Sequence, residues 1–86
     1  MHSKKNIEKK VIEIVEKICS REVEQINTNI FMNPFYMSSR ELAYIFIELE
    51  KEYNIDLNEL VEEYKNHTVA NLIDAVVKVT SLAEVV

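Results

Sequence analysis

The sequence predicts a small all-α protein, a four-helix bundle with a long loop between its first two helices. Four segments carry apolar residues at the three- and four-residue spacing of an amphipathic helix, and residues that favour helix ends lie at their borders. The 86-residue chain has one proline and no glycine, so its composition contains few helix breakers. A chain of this length is expected to form a single domain, residues 1–86.

The first helix is predicted to begin after Ser3 and to fade near Cys19 and Ser20. Its apolar positions, separated by lysine and glutamate, are Ile7, Val11, Ile12, Ile14, Val15 and Ile18. The Ser3 hydroxyl can accept a hydrogen bond from an open backbone N–H group that follows it. Cys19 lies on the apolar side, so we expect a packed thiol rather than a nucleophile, with no basic group nearby to activate it.

Between residues 21 and 38 the helical spacing is lost. Turn and cap residues occur here, including Asn27, Asn29 and Pro34. Five side chains are too apolar to lie free in solvent: Ile26, Ile30, Phe31, Phe35 and Tyr36. We therefore expect a long loop that these side chains pack onto the helices, and a connection of this length in a small domain is usually functional.

The second helix is predicted over Ser39–Tyr53. Ser38 as N-cap with Glu41 three residues later forms a capping box, and Asn54 is a common left-handed residue just past a helix end. Ile55 then supplies the apolar contact behind that end. The predicted buried stripe consists of Leu42, Ile45, Phe46, Leu49 and Tyr53, with Ala43 and Ile47 at its margins.

Two further patterns complete the chain. Residues 56–66 predict a short helical turn whose inward side chains are Leu57, Leu60, Val61 and Tyr64. Thr68 is the expected N-cap of the last helix, which should run to about Thr80. Its apolar positions are Val69, Leu72, Ile73, Val76 and Val77. Residues 81–86 have no predicted partner and are free to fray.

Composition excludes several classes of function. The absence of glycine excludes glycine-rich phosphate-binding loops, and a net charge of −5 argues against nucleic acid as a partner. No apolar run is long enough for a membrane span or a signal peptide. We therefore expect a cytoplasmic monomer that contacts no membrane.

Several candidate sites are also weak. Cys19 is the single cysteine, so neither an internal disulfide nor a multi-cysteine zinc site is possible. Glu63 and His67 lie four residues apart but lack a third ligand, so no metal site is predicted. His2 and His67 lie far in sequence from Ser39, so no Ser–His–acid hydrolase is predicted.

Charge is distributed unevenly along the chain. Residues 1–21 carry six basic residues against three acidic ones, whereas residues 41–63 carry eight acidic residues against Lys51 alone. Composition by itself favours a solvated surface for this acidic run. The alternative is a docking surface for basic partner proteins, steered by complementary charge. Its candidate contact residues are Arg40, Glu41, Ile47, Glu48 and Glu52.

A distinctive spacing begins at Ser39. Aliphatic residues follow at six and ten positions, an aromatic residue at fourteen, and isoleucine at sixteen after a Glu-Lys-Glu triplet. In order, these are Ile45, Leu49, Tyr53 and Ile55. The same count from Ser38 meets Tyr44 and Glu48 and fails, so the register selects Ser39. With the order of the predicted helices, this spacing resembles the acyl carrier protein family over nearly the whole chain.

Other segments add to the resemblance. Asn29-Ile30-Phe31 and Phe35 are similar to the family's loop anchors, and Thr68-Val69 is similar to the start of its last helix. The family motif at the serine is usually Asp-Ser-Leu, where this chain has Ser38-Ser39-Arg40.

The resemblance implies a carrier protein that is not itself an enzyme. It would hold an acyl or aminoacyl group as a thioester on 4′-phosphopantetheine attached to Ser39, in fatty-acid or secondary-metabolite biosynthesis. A phosphopantetheinyl transferase and basic acyl- or aminoacyl-transferring enzymes would be its partners. An interior between the second and last helices would shelter a short chain, and its expected lining is Phe46, Leu49, Leu72 and Val76.

An alternative interpretation stays open. The chain could have the carrier fold and serve as an unmodified docking module, for example in a peptide-maturation pathway. Arg40, a positive charge where the family presents an apolar side chain, favours this alternative, as does the bulky Tyr36-Met37 pair beside the entrance to Ser39.

Overall fold

A computed structural model shows the chain as a small all-α bundle of four helices over the described residues, 3–32 and 35–85. The helices are α1 (Lys4–Cys19), α2 (Ser39–Tyr53), α3 (Leu57–Glu63) and α4 (Val69–Val85). α1 packs against α2 and α4, and α3 packs against α4 and α2. His2, Pro34 and Val86, on which predictions were made, lie outside the described residues.

The ends of α1 are where the sequence predicts them. The Ser3 hydroxyl accepts a hydrogen bond from the Asn6 N–H at 3.2 Å, which caps the first turn. Ser20 follows Cys19 with a left-handed backbone (φ 55°), so the helix stops there. The buried face of α1 consists of Ile7, Val11, Ile14, Val15 and Cys19.

The capping signals of α2 are also confirmed. The Glu41 N–H donates to the Ser38 hydroxyl at 3.1 Å, and the Ser38 N–H donates to the Glu41 carboxylate at 2.8 Å. Asn54 closes the helix in the left-handed conformation (φ 52°), and Ile55 is buried behind it. Within the predicted stripe, Ile45 and Leu49 are fully buried.

The prediction that Phe46 lies in the core is only partly right. Phe46 is half-buried and meets the ring of Tyr64 edge-on, with 5.6 Å between the ring centroids. Tyr64 directly follows α3, and Phe46 packs against the core beside it. Phe46 therefore contributes to the core margin rather than to its centre.

The structure corrects α3 and α4 in two places. Val61 does not face inward but is 50% exposed, because only the edge of α3 that carries Leu60 and Tyr64 reaches the core. α4 continues to Val85 rather than ending near Thr80. The Thr80 hydroxyl donates to the Val76 carbonyl oxygen at 2.8 Å, so this polar side chain is satisfied within the helix and does not end it.

The loop between α1 and α2 is fixed by backbone hydrogen bonds to the connection before α4. The Ile30 N–H donates to the His67 carbonyl at 2.8 Å, the Ala70 N–H donates to the Ile26 carbonyl at 2.8 Å, and Asn29 forms an isolated β-bridge with Thr68. Ile30 is buried, and the predicted anchors Ile26, Phe31 and Phe35 are half-buried against the core. The loop is therefore an ordered layer of the fold.

Neither Tyr36 nor Met37 lies where the sequence predicts. Tyr36, expected to anchor the loop, is 64% exposed, whereas Met37 is 4% exposed and part of the core. The Tyr36 backbone is left-handed (φ 51°) and follows a turn in which the Phe35 and Tyr36 N–H groups both donate to the Met32 carbonyl. This turn directs Tyr36 outward, and Met37 then enters the core just before α2.

No helix in residues 3–32 and 35–85 combines the length and the apolar run needed to cross a bilayer.

We expect Leu49→Ala to lower the free energy of unfolding by about 2–5 kcal/mol, because Leu49 is fully buried and the substitution leaves a cavity. Ile47→Ala, on the exposed side of the same helix, is the matched control and should cost well under half as much. Urea titrations followed by circular dichroism measure both values. Equal losses would show that the faces of α2 are assigned wrongly.

Candidate functional site

Ser39 is the first residue of α2 and lies directly after the N-cap Ser38. The Ser38 hydroxyl is occupied by the Glu41 N–H, whereas the Ser39 hydroxyl is exposed and makes no hydrogen bond with any described residue. The first turn of α2 also directs open N–H groups and the positive end of the helix dipole toward this position. Ser39 thus offers a free hydroxyl where a negatively charged substituent is electrostatically favoured.

The N-terminus of α2 is held to the end of α1 by an ion pair. One Arg21 guanidinium nitrogen donates to Glu41 Oε1 at 3.0 Å, the same oxygen that accepts the Ser38 N–H. The guanidinium also lies over the Phe35 ring, 4.9 Å from its centroid. These contacts fix the helix terminus from which Ser39 projects.

Two partners of the Glu41 carboxylate stabilise its charged form. The hydrogen bond from the Ser38 backbone, the larger effect, and the Arg21 guanidinium hold the pKa of Glu41 below its ordinary value. Both of these hydrogen bonds are accepted by Oε1, so this oxygen serves the helix cap and the contact with α1. The sequence placed Glu41 among the docking residues, and the structure shows it serving the helix cap.

The other predicted docking residues lie along the outer side of α2. Arg40 and Glu48 are exposed and form no ion pair with any described residue. Ile47 is 40% exposed, which is high for isoleucine on a packed helix. Glu52 is exposed and lies 3.7 Å from the Lys10 ammonium.

Ile47, Glu48 and Glu52 belong to a groove of about 650 Å³ between α1 and α2. The lining residues are Lys10, Glu13, Ile14, Lys17, Ile18, Tyr44, Ile47, Glu48, Lys51 and Glu52. The groove contains as many lysines as glutamates, because α1 brings its basic residues beside the acidic run of α2. Of the predicted docking residues, Ile47, Glu48 and Glu52 therefore have lysines beside them in this groove.

Cys19 is buried, as predicted, but it has a basic neighbour that the sequence did not reveal. Burial, and secondarily the Glu41 carboxylate, raise the pKa of the Cys19 thiol, while the nearby Arg21 guanidinium opposes this shift. The net direction is upward, so the thiol stays protonated near neutral pH and acts as a packed core group.

The interior predicted between α2 and α4 is filled by side chains. Leu49, Leu72 and Val76 are fully buried in the core. A second cavity of about 330 Å³ along the described residues lies beside the α1–α2 loop instead. Arg21, Phe35 and seven other residues line it. The two cavities thus lie along the α1–α2 groove and beside the loop rather than between α2 and α4.

Tyr64 carries a buried polar atom that the sequence gave no reason to expect. Its hydroxyl makes no hydrogen bond with any described residue, and burial raises the pKa of Tyr64 to about 12. The His67 ring lies edge-on to Tyr64 at 5.8 Å and to Phe31 at 5.1 Å. Glu63 pairs with Lys78 at 3.0 Å, and the described residues contain no cluster of three His, Cys, Asp or Glu arranged to hold a metal.

Comparison with known proteins assigns no family to this geometry. No protein-family model matches the chain, and no curated protein or solved structure is similar to it. The function is therefore inferred from the chain's own residues and from the spacing that follows Ser39.

The two adjacent serines should differ in their effect on stability. Ser38→Ala removes the capping acceptor and should lower the free energy of unfolding by about 1 kcal/mol. Ser39→Ala, the matched control, removes a hydroxyl without a partner and should leave stability unchanged. Chemical denaturation measures both, and an equal loss in the two variants would contradict the assignment of Ser38 as the cap.

Tyr64→Phe should hold or raise stability at neutral pH, because it removes a buried hydroxyl that lacks a hydrogen bond. Burial raises the folded-state pKa of Tyr64 from 10.0 to about 12, so the folded state favours the protonated tyrosine over the ionised one. The stability that depends on this protonated form is complete below pH 10 and is lost as the pH rises toward 12.

Burial also raises the pKa of Tyr53, and subtracting the alkaline profile of Tyr64→Phe from that of the parent isolates the Tyr64 contribution. Thermal unfolding between pH 7 and 12 provides both profiles. A marked loss of stability in Tyr64→Phe at pH 7 would show that the hydroxyl has a partner after all.

Proposed function

We propose that the protein is a carrier that holds an acyl or aminoacyl group on 4′-phosphopantetheine attached to Ser39. The observation that supports this most strongly is the exposed Ser39 hydroxyl at the first position of α2, left free because Ser38 caps the helix. The spacing from Ser39 to Ile45, Leu49 and Ile55, which resembles the acyl carrier protein family, supports the same residue.

The surroundings of Ser39 fit such a group. A phosphodiester on this hydroxyl would lie at the positive end of the helix dipole, and the exposed Arg40 guanidinium has no competing ion pair among the described residues. Of the pair expected to crowd the entrance, Met37 is buried in the core, whereas Tyr36 is 64% exposed. When attached, the group would supply a thiol that holds the cargo as a thioester.

The chain itself performs no bond-making step in this proposal. The capping box and the Arg21–Glu41 ion pair keep Ser39 at a fixed, exposed position, which a modifying enzyme needs for access. The base and metal for attachment would come from a phosphopantetheinyl transferase. The protein's role is to position and present its cargo, and we place it in the cytoplasm with such enzymes.

We further propose that transferring enzymes with basic surfaces contact exposed acidic residues of α2 and α3. Glu59 and Glu62 on α3 are exposed and carry no ion pair with a described residue. Arg40 and Glu48 on α2 would complete this contact. Glu41, also predicted as a contact residue, is less accessible than these residues, because it is half-buried and its Oε1 already accepts from Ser38 and Arg21.

The second candidate is an unmodified docking module. One observation favours it: Arg40, exposed beside Ser39, puts a positive charge where the acyl carrier family presents an apolar side chain to its modifying enzyme. In this case Ser39 would be a surface residue without a substituent, and α2 would serve only as a contact surface.

Incubation with coenzyme A, Mg²⁺ and a broad-specificity phosphopantetheinyl transferase tests the proposal by intact mass. The parent chain should gain the mass of one prosthetic group, and Ser39→Ala should gain none. Ser38→Ala keeps the acceptor hydroxyl and should be modified despite its weaker cap. Arg40→Leu, which restores the family's apolar neighbour, should be modified faster than the parent.

Two results would overturn the carrier assignment. The first is no mass gain in either the parent or Arg40→Leu with several transferases, which would favour the docking module. The second is modification of Ser39→Ala, which would place the acceptor elsewhere. Circular dichroism of each variant establishes that the tested chains are folded.

A further inference from the structure

The cavity beside the α1–α2 loop has an apolar floor. Its volume of about 330 Å³ lies at the small end of the range for ligand sites. The apolar lining residues are Val23, Ile30, Phe35 and Val69. Ile30 and Val69 are buried, and the other two are half-buried against the core. The cavity therefore offers a small apolar group a surface on which it can leave water.

One wall of the cavity is a short segment, residues 22–25, that is held near both ends. The Val23 N–H donates to the Glu16 carboxylate at 2.9 Å. Just after the segment, the Ile26 carbonyl accepts a hydrogen bond from the Ala70 N–H at 2.8 Å. Because these bonds fix the wall before anything binds, a ligand does not have to order it.

The same wall carries an excess of negative charge. Glu22 and Glu24 line the cavity, are exposed and form no ion pair with any described residue. Arg21 also lines the cavity, but its guanidinium lies 3.0 Å from the Glu41 carboxylate and over the Phe35 ring. Since Glu41 balances the charge of Arg21, the two unpaired carboxylates decide the charge of the cavity and favour a cationic group there.

We propose that this cavity holds the cargo of the carrier, and that the cargo is an aminoacyl group with an apolar side chain. The side chain would lie on the apolar floor, and the α-ammonium group would pair with Glu22 or Glu24. A simple acyl group would contact the floor alone and gain nothing from the carboxylates. The inference rests on the proposed function, because it selects between the two classes of cargo named there.

The cavity lies close to the proposed attachment residue. Arg21 in its wall is bonded to Glu41, which lies two residues after Ser39 in the first turn of α2. Phe35 in its lining lies four residues before Ser39. A flexible arm on Ser39 would present its cargo to the cavity at an effective concentration of about a millimolar. An intrinsic affinity of the same size is therefore sufficient to keep the cargo in the cavity for much of the time.

Free amides that imitate the cargo test the cavity without any modification of Ser39. Leucinamide has the apolar side chain and the ammonium group, 4-methylpentanamide has only the side chain, and glycinamide has only the ammonium group. Titrations of the full chain followed by ¹H–¹⁵N NMR at about pH 6, where an α-ammonium group is charged, give the affinity and the residues affected.

Leucinamide should bind with a dissociation constant of about a millimolar and should shift the signals of residues 21–25. Each of the other two amides lacks one of the two contacts and should bind about fivefold more weakly or worse.

Matched variants identify the carboxylates. Glu22→Gln with Glu24→Gln keeps the size of both side chains and removes their charge, so the affinity for leucinamide should fall about fivefold. The affinity for 4-methylpentanamide should not change in this variant. Glu59→Gln with Glu62→Gln on α3 makes the same change in charge outside the cavity and should bind leucinamide like the parent. Circular dichroism shows that every variant is folded.

Three results would overturn the inference. Leucinamide that does not bind at concentrations well above a millimolar, or that shifts only signals outside the cavity, has no site there. Equal affinities for leucinamide and 4-methylpentanamide would exclude a contact with the ammonium group. Equal losses in the two double variants would assign the effect to net charge.

Failure of this inference is distinguishable from failure of the proposed function. A chain that gains the prosthetic group on Ser39 but binds no leucinamide would remain a carrier and would lose the aminoacyl site. A chain that binds leucinamide in the cavity but gains no mass would contradict the carrier assignment and leave the cavity as a site for a free small amine.

Discussion

The position of the candidate site depends on the backbone hydrogen bonds between the α1–α2 loop and the connection before α4. The Ile30 N–H to the His67 carbonyl and the Ala70 N–H to the Ile26 carbonyl, both 2.8 Å, satisfy polar groups that lie against the core. The Met37 N–H then donates to the Ile30 carbonyl at 2.7 Å, and its side chain is buried. Because Met37 directly precedes the capping box, its burial fixes the chain to the core just before α2 begins.

Local chemistry explains why so much of this could be predicted from the sequence. Helix ends are decided within a few residues, so Ser3, Ser38 with Glu41, and Asn54 were sufficient to locate them. The sequence predictions that were wrong also have identifiable physical causes. The inward turn of Met37 requires a left-handed backbone at Tyr36, and a tyrosine in the sequence gives no reason to expect that conformation.

Contacts between distant residues account for the rest. Arg21 pairs with Glu41, and Lys10 with Glu52, only because α1 and α2 pack side by side, and no spacing rule links partners so far apart in the chain. These two pairs change the functional interpretation. Glu41 is bonded into the helix terminus, and Glu48 and Glu52 of the acidic run lie in a groove that also contains three lysines. In the proposed function, Ser39 at the start of α2 is the acceptor and exposed residues along the helix form the contact surface.

The central claim is that Ser39 carries a prosthetic group, and the intact mass of the protein isolated from its own source tests it most directly. Proteolytic fragments analysed by tandem mass spectrometry assign any added mass to one residue. The account predicts a phosphopantetheine-sized addition on Ser39 and an unmodified Ser38. A native protein with the mass of the bare chain throughout, purified from cells that hold an active transferase, would contradict it.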